Sequence, residues 1–344
     1  EDEKTLALGR RWTRGAECLP MSLTLGAFLN QVEEDRRAGG RPEREAALFL
    51  PTSTGPCRFG QYRTLDRIIF ERQGLGEVPI LSPGAHNAYF GLPRRLRPKV
   101  WRAIVGGDAL FKMGCRVRPY ESHRGDTEET LEKWTAKSEA LVESNRMNWP
   151  GFLEAAMNDF LRVPASSERR PLVGIVGEIY VRCNTFASGR LVEAIERAGG
   201  EAWLSPIAEW ILYTAWMERY LSREKSGEPW RKLGLAAKWR YLSGQEHAIY
   251  ERLSPLLGDR LEPPMGELIR AGRRLLPPEF PGESIITLGR AFLFGRDGAD
   301  LVVNCAPFGC MHGNITSAIF DEHREELGAP GCGLFIVRNS ANGG

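Results

Sequence analysis

Six short apolar runs constrain the fold of this chain more than any other feature: AALFLP, VPILSP, PLVGIVGEIYV, EAWLSP, ADLVVNCAPF and GLFIV. They are rich in Val, Ile, Leu or Phe and lack the polar alternation of a strand with one wet face, so they read as strands covered on both sides. Between them lie segments with helical periodicity, among them MSLTLGAFLNQVEED, RTLDRIIFERQGL, RLVEAIERAGG and SAIFDEHREELG. Strands and helices in alternation imply an α/β protein with doubly wound parallel sheets. Parallel strands are expected near residues 46–51, 78–81, 172–176, 201–205, 300–304 and 333–337. They fall into two groups separated by a charge-rich helical stretch, whose clearest helices run from Lys99 to Phe111 and from Thr127 to Ser144. The expected architecture is therefore two Rossmann-like doubly wound domains, residues 1–92 and 166–344, joined by a helical linker region over 93–165. The second domain carries a helical insertion over about Glu209 to Leu276.

With 344 residues the chain has the length of two domains. Its 46 basic and 44 acidic residues are too nearly balanced for a polyanion to be the main partner, so no nucleic acid is expected. No stretch approaches the roughly 18 consecutive apolar residues of a membrane span. The start, EDEKTLALGRRW, has no export-signal pattern either, which points to a cytoplasmic protein with no membrane partner. The first residue is not Met and the last five are SANGG, and we read the sequence as a segment of a longer chain.

Seven scattered cysteines make a poor disulfide framework, so each is a buried small hydrophobe, a redox centre or a metal ligand. In GAECLPMSLTLG, GPCRFGQYRTLD and PFGCMHGNITSA a cysteine stands in a Gly- or Pro-containing turn directly before a predicted helix. A helix start offers unpaired N–H groups and the positive end of the macrodipole, which favour thiolate and can donate to an anionic iron–sulfur cluster. Cys18, Cys57 and Cys310 are thus candidates to converge as metal ligands, and Cys57 and Cys310 each follow a predicted strand. Cys305 forms C-x4-C with Cys310 but ends an apolar strand and reads as core. Cys115 and Cys183 read as structural thiols, and Cys332 as incidental. Zinc is the rival metal, yet no CxxC or CxxH knuckle occurs, and His86, His123, His247, His312 and His323 form no HExxH. His312 stands apart from the others because it lies two residues after Cys310.

At these residues the chain resembles the 2-hydroxyacyl-CoA dehydratase superfamily, in its activase-related, 2-hydroxyglutaryl-CoA dehydratase-like branch. The likeness is carried by ECLPMSLTLG, LPTSTGPCRFGQY, RVRPYE, VGIVGEIYVRCNTF, AEWILYTAW, GESIITLGRA and NCAPFGCMHG, spread over nearly the whole chain in an order similar to the family's. GPCRFGQY and VGEIYVR are its most specific parts. The resemblance implies tandem Rossmann-like domains that hold a 4Fe-4S cluster through three cysteines, which fall on Cys18, Cys57 and Cys310. The fourth iron would be open to substrate or water. It also implies a dehydratase-like (lyase) or reductase component that receives one electron from an ATP-dependent iron–sulfur activator. The electron would pass to a small-molecule or acyl-CoA substrate, forming a ketyl radical that expels the 2-hydroxyl group. No GxxxxGK[ST] occurs, so the ATP step belongs to a partner or to polypeptide outside this sequence. An electron-relay or cluster-scaffold protein without substrate chemistry of its own is the alternative. The superfamily further suggests a possible dimer. The chain departs from the family pattern at His312, where Pro is common, and at Cys183 to Phe186, where Asn-Pro-Phe is common.

Polar candidates flank the cysteines. Arg58 and Gln61, on the first turns after Cys57, have the chemistry to hold an anionic substrate or to cap the helix. Arg118 and Glu121 in VRPYE either line the cleft or pin the linker. Glu178, Arg182 and Asn184 follow the first strand of the second group, at the carboxyl end where doubly wound folds bind ligands. Arg182 and Asn184 are candidates for substrate binding, and Glu178 for a general acid or base. If a cubane is held, the three sulfurs should lie roughly 6 to 7 Å apart, with the helix N-termini aimed at one locus.

Overall fold

The computed structural model describes residues 1–13, 17–84, 92–143, 148–224, 229–323 and 325–336. The first third contains α1 (Glu3–Arg10), α2 (Leu19–Arg37), α3 (Pro42–Glu45), β1 (Leu48–Phe49), α4 (Tyr62–Arg72) and β2 (Ile80–Leu81). Helices α5 (Arg97–Val117), α6 (Asp126–Glu143) and α7 (Trp149–Phe160) follow. Next come β3 (Leu172–Gly177), α8 (Ile179–Cys183), α9 (Leu191–Arg197), β4 (Glu201–Leu204), α10 (Ile207–Glu224), α11 (Pro229–Arg252), α12 (Ser254–Leu257) and α13 (Met265–Gly272). The last part is α14 (Ser284–Arg296), β5 (Leu301–Pro307), α15 (Met311–Glu322) and β6 (Gly331–Ile336). The chain is mixed α/β, and every named strand pairing is parallel.

All six expected strands form, but they are very unequal. β1 and β2 have two residues each and make a sheet of their own. Prolines set that limit. Leu48, Leu50 and Thr52 donate to the carbonyls of Pro79, Leu81 and Pro83 at 2.9, 2.9 and 3.1 Å, whereas Pro79 and Pro83 have no N–H to return. The second group forms a four-stranded sheet in the order β4-β3-β5-β6. Its winding reverses between β3 and β5, where Gly177 pairs with Cys305. A crevice forms at the carboxyl ends of such neighbouring strands. The expected strand end at residue 337, the helix end at Ser144, His86 and the side chain of Cys332 lie outside the described residues.

Both faces of the four-stranded sheet are covered. Leu172 and Val176 point toward α14 and α15, where Leu288, Ala291, Phe294 and Phe320 are buried. Ile175 and Cys305 meet Leu6 of α1 and Leu19 and Leu23 of α2 on the other face. Helix α2 therefore has two apolar sides, because Met21, Leu25, Leu29 and Val32 pack instead into the core of the small sheet with Leu48, Phe70 and Ile80. The pair α1–α2 is locked by two glycines. A Cβ on Gly9 would lie 1.8 Å from the Ser22 carbonyl oxygen, and one on Gly26 would lie 1.9 Å from that of Thr5.

The helices of the linker region do not stand alone. Trp101, Met113, Trp149 and Phe160 share one core with Leu212, Tyr213, Ile249, Leu268 and Ile285, so α5 and α7 join α10, α11 and α13 in a single helical layer. Helix α14, buried from Ser284 to Phe294, lies between that layer and the sheet. Its Arg290 is buried but paired with Glu209 and Glu262, and Glu262 also pairs with Lys112. No helix of the described residues is long and apolar enough to cross a membrane.

Replacing Gly26 by Ala should force α1 and α2 apart and lower the urea midpoint by about 1–3 kcal/mol of stability. A second expectation concerns Asp66 of α4, which is fully buried with neither carboxyl oxygen hydrogen-bonded. Burial pushes its carboxyl from the ordinary 3.8 up to about 7. Folding thus favours the protonated form, and the stability it contributes is complete below the unfolded value and lost as pH rises through the folded one. Unfolding measured across that window should show a decline in the wild type, at most about 4 kcal/mol, that Asp66→Asn flattens.

Candidate functional site

Four helix starts lie within electrostatic reach of one another near the carboxyl ends of β3 and β5, and each is preceded by a residue of similar backbone conformation. Cys18 caps α2 with φ −73° and ψ 156°, and Cys310 caps α15 with φ −66° and ψ 124°. Cys57, at φ −66° and ψ 134°, caps the 3-10 turn Arg58–Gln61 that runs into α4. The fourth is Glu178, which caps α8 at φ −65° and ψ 128°. Its carboxylate accepts from the N–H groups of Tyr180 and Val181 at 3.1 and 2.8 Å. An extended residue followed by helix aims the side chain at the first N–H groups of the next turn. The Cys310 sulfur accepts from Gly313 N–H at 3.5 Å, and the N–H groups of Met21 and Phe59 favour the thiolates of Cys18 and Cys57.

The three cysteines, about 39 and 253 residues apart in sequence, share one electrostatic environment. Each is only partly buried. Burial is the largest influence on all three, raising the Cys18 thiol, pushing that of Cys57 up to about 11 and that of Cys310 up to about 12. The charge of Cys18 opposes ionisation of Cys57, and that of Cys57 opposes ionisation of Cys310. Glu178 acts on all three. The Cys18 sulfur also shares a short hydrogen bond with the Tyr62 hydroxyl.

Glu283, in no motif that marks a ligand or a general base, is a second carboxylate at this locus. Glu283 is buried beside Glu178 and acts on both Cys57 and Cys310. Burial, and then the charge of Glu178, pushes its carboxyl up to about 8. Its position follows from neighbours on either side. The Tyr213 hydroxyl donates to the Gly282 carbonyl at 2.6 Å, and Ser284 Oγ lies 3.0 Å from His312 Nδ1. A Cβ on Gly282 would lie 1.7 Å from the His312 ring. His312 is thus a buried strut between the start of α14 and the start of α15, and burial lowers its pKa. The segment GESIITLGRA held the only sequence signal for Glu283, and a side chain facing inward from a helix cap has no periodicity to mark it.

Arg182 holds the crevice in shape. Fully buried within the fold, it donates to the carbonyls of Gly177, Ser205 and Pro206, tying the carboxyl end of β3 to that of β4. Gly177 must itself be glycine, with φ 115° and a Cβ that would lie 2.1 Å from the Cys305 carbonyl oxygen. Arg58 is exposed but near enough to favour the Cys18 thiolate, and Gln61 is exposed at the start of α4. Asn184 donates to Glu1 and accepts from Ala187 N–H. Arg118 and Glu121 lie in the helical part, where Arg118 pairs with Glu196 and Glu128. Glu121 accepts from Gly125 and Thr127 N–H groups. Cys115 and Cys305 are buried, and burial pushes their thiols and that of Cys183 up to about 12. A separate small cavity of about 20 Å³ opens by Asp108, Lys112, Leu204 and Tyr250.

Among the described residues no group of three or more His, Cys, Asp or Glu side chains is arranged to hold a single metal ion. The chemistry of the three cysteines suits a larger, thiophilic group. They are soft donors at helix starts, with backbone N–H groups favouring their ionised forms and mutual repulsion that a cationic iron core would relieve. Neither family models, curated proteins nor solved structures give a match to this chain.

Arg182→Ala would leave three buried carbonyls without their donor and should lower stability by about 3 kcal/mol or more. Arg182→Lys, which keeps the charge but not the fork, should recover only part of it in the same urea titration.

Proposed function

We propose that this chain is the iron–sulfur component of a 2-hydroxyacyl-CoA dehydratase-like reductase, with a 4Fe-4S cluster held by Cys18, Cys57 and Cys310. The observation that supports the reading is that three cysteines from distant segments, each capping a helix start, act electrostatically on one another and share the influence of Glu178. In this reading the two parallel sheets are the two Rossmann-like halves, the first reduced to a two-residue ladder. When bound, the cluster supplies low-potential, one-electron reduction of a small-molecule or acyl-CoA thioester substrate.

The chain's own residues perform the remaining tasks. The N–H groups at the starts of α2, of the 3-10 turn before α4 and of α15 stabilise negative charge at the sulfurs. Arg182 keeps the ends of β3 and β4 fixed, so that Glu178 and Cys310 stay at one crevice. Arg58 and Gln61, on the turn after Cys57, and Asn184, at the end of α8, carry groups suited to an anionic or amide-bearing substrate. Glu178 and Glu283 are the carboxyls able to hold or release a proton there, and their environments differ. Glu178 has two N–H donors, while burial beside Glu178 holds Glu283 protonated to about pH 8. An ATP-dependent iron–sulfur activator, acting in the cytoplasm, is the electron donor this reading requires. Three thiolates for four irons favour a cluster that meets substrate over one that only relays electrons.

Anaerobic reconstitution with iron and sulfide tests the assignment. The wild type should take up close to four irons per chain and gain the broad visible absorption of thiolate-to-iron charge transfer. Replacing Cys18, Cys57 or Cys310 singly by Ser should lower the iron content and bleach that band, while Cys115→Ser should leave both intact. Equal iron uptake by the wild type and by a variant with all three cysteines replaced by Ser would refute the cluster assignment.

A further inference from the structure

Helix α11 carries apolar residues on two opposite faces. Trp239, Leu242, Ile249 and Tyr250 pack into the helical core. The other face consists of Trp230, Leu233, Gly234, Ala237, Tyr241 and Gly244, all exposed and spaced as one helical stripe. Trp230 is 79% and Leu233 60% exposed. Two large apolar groups at the same end of one stripe are what an interface would cover.

Two further observations specify the occupant. Among the described residues a Cβ on Gly234 or Gly244 would meet nothing within 4 Å, so no described neighbour requires glycine there, although glycine weakens a helix interior. Absent side chains beside exposed large ones leave a notched surface suited to the close approach of another backbone. Between Pro229 and Gly244 stand Arg231, Lys232, Lys238 and Arg240, with no Asp or Glu. Lys238 pairs with Glu218 of α10 at 2.7 Å. Arg231 and Arg240 are exposed on opposite flanks of the stripe. The same helix of a second copy would bring only like charges to these flanks, and a bilayer surface would be met better by an unbroken row of large apolar groups.

We infer that the outer face of α11 docks an acidic amphipathic helix of a partner protein. Its apolar seam lies on Trp230, Leu233 and Tyr241, and its carboxylates face Arg231 and Arg240. The inference is independent of the cluster assignment.

The test uses the full chain and two fluorescently labelled helical peptides with the same Leu/Ala seam, one flanked by Glu and the other by Lys. Anisotropy should show saturable, salt-sensitive binding of the Glu-flanked peptide and at least about tenfold weaker binding of the Lys-flanked one. Trp230→Ala with Leu233→Ala, and separately Arg231→Glu with Arg240→Glu, should each weaken binding at least about tenfold. Gly234→Leu, which fills the notch, should do the same. The substituted positions are exposed, so far-UV circular dichroism should be unchanged in all three variants. No binding of the Glu-flanked peptide, equal binding of both peptides, or binding indifferent to the substitutions would overturn the inference. So would a sedimentation dimer lost on Trp230→Ala, which assigns the face to a second copy. Flotation with phosphatidylcholine–phosphatidylserine vesicles that is lost on Arg231→Glu with Arg240→Glu would instead assign it to a membrane surface.

Discussion

Helix α2 connects the small parallel ladder to the four-stranded sheet, and the site depends on that connection. Leu19 and Leu23 pack on the large sheet, while Met21, Leu25, Leu29 and Val32 pack on the small one. A ladder of two residues per strand has too little buried surface to stand by itself. It gains its support from α2 and α4, and α2 is fixed in turn by its glycine-to-backbone crossing with α1. The sulfur of Cys18 is thereby carried to the carboxyl end of β3, and the α4 segment brings Cys57 to the same place.

The resulting locus concentrates negative charge in a partly dry environment. Three thiols and two carboxyls lie within electrostatic reach, and burial raises the proton affinity of every one of them. Opposing that cost are the N–H groups of the helix starts and the cationic side chains of Arg58 and Arg182. Burial keeps the thiols in their protonated form. A cationic, thiophilic group of the kind proposed would convert repulsion between their ionised forms into attraction.

Rigidity at the crevice comes from the other side of the sheet. Helix α14 is apolar almost all round, as a helix enclosed on every side must be, and Arg290 is neutralised by two carboxylates. Its N-cap is Glu283, so the packing of the helical layer sets the position of a carboxyl at the site. The outer part of α11 contributes nothing to that packing. Its exposed aromatic and basic residues face away from the chain's own core.

The strands were legible in the sequence because residues buried on both faces must be continuously apolar, and all six runs, from Leu48–Phe49 to Gly331–Ile336, became parallel strands. The turn-then-helix context of Cys18, Cys57 and Cys310 was legible for a local reason too, since a helix cap is defined by its neighbours. Other features were set by contacts between distant segments. Proline spacing shortened β1 and β2 below what their apolar runs suggested, and the helices between residues 93 and 165 joined those beyond Ile207 in one layer. Arg182 emerged as a clamp and Arg118 as part of an ion-pair cluster, although both stand in similar polar motifs. Glu283 and His312 met only through the packing of α14 against α15. Sequence determined the local elements because periodicity and caps are local. Tertiary structure decided which side chains share the crevice, because that depends on which apolar faces find each other.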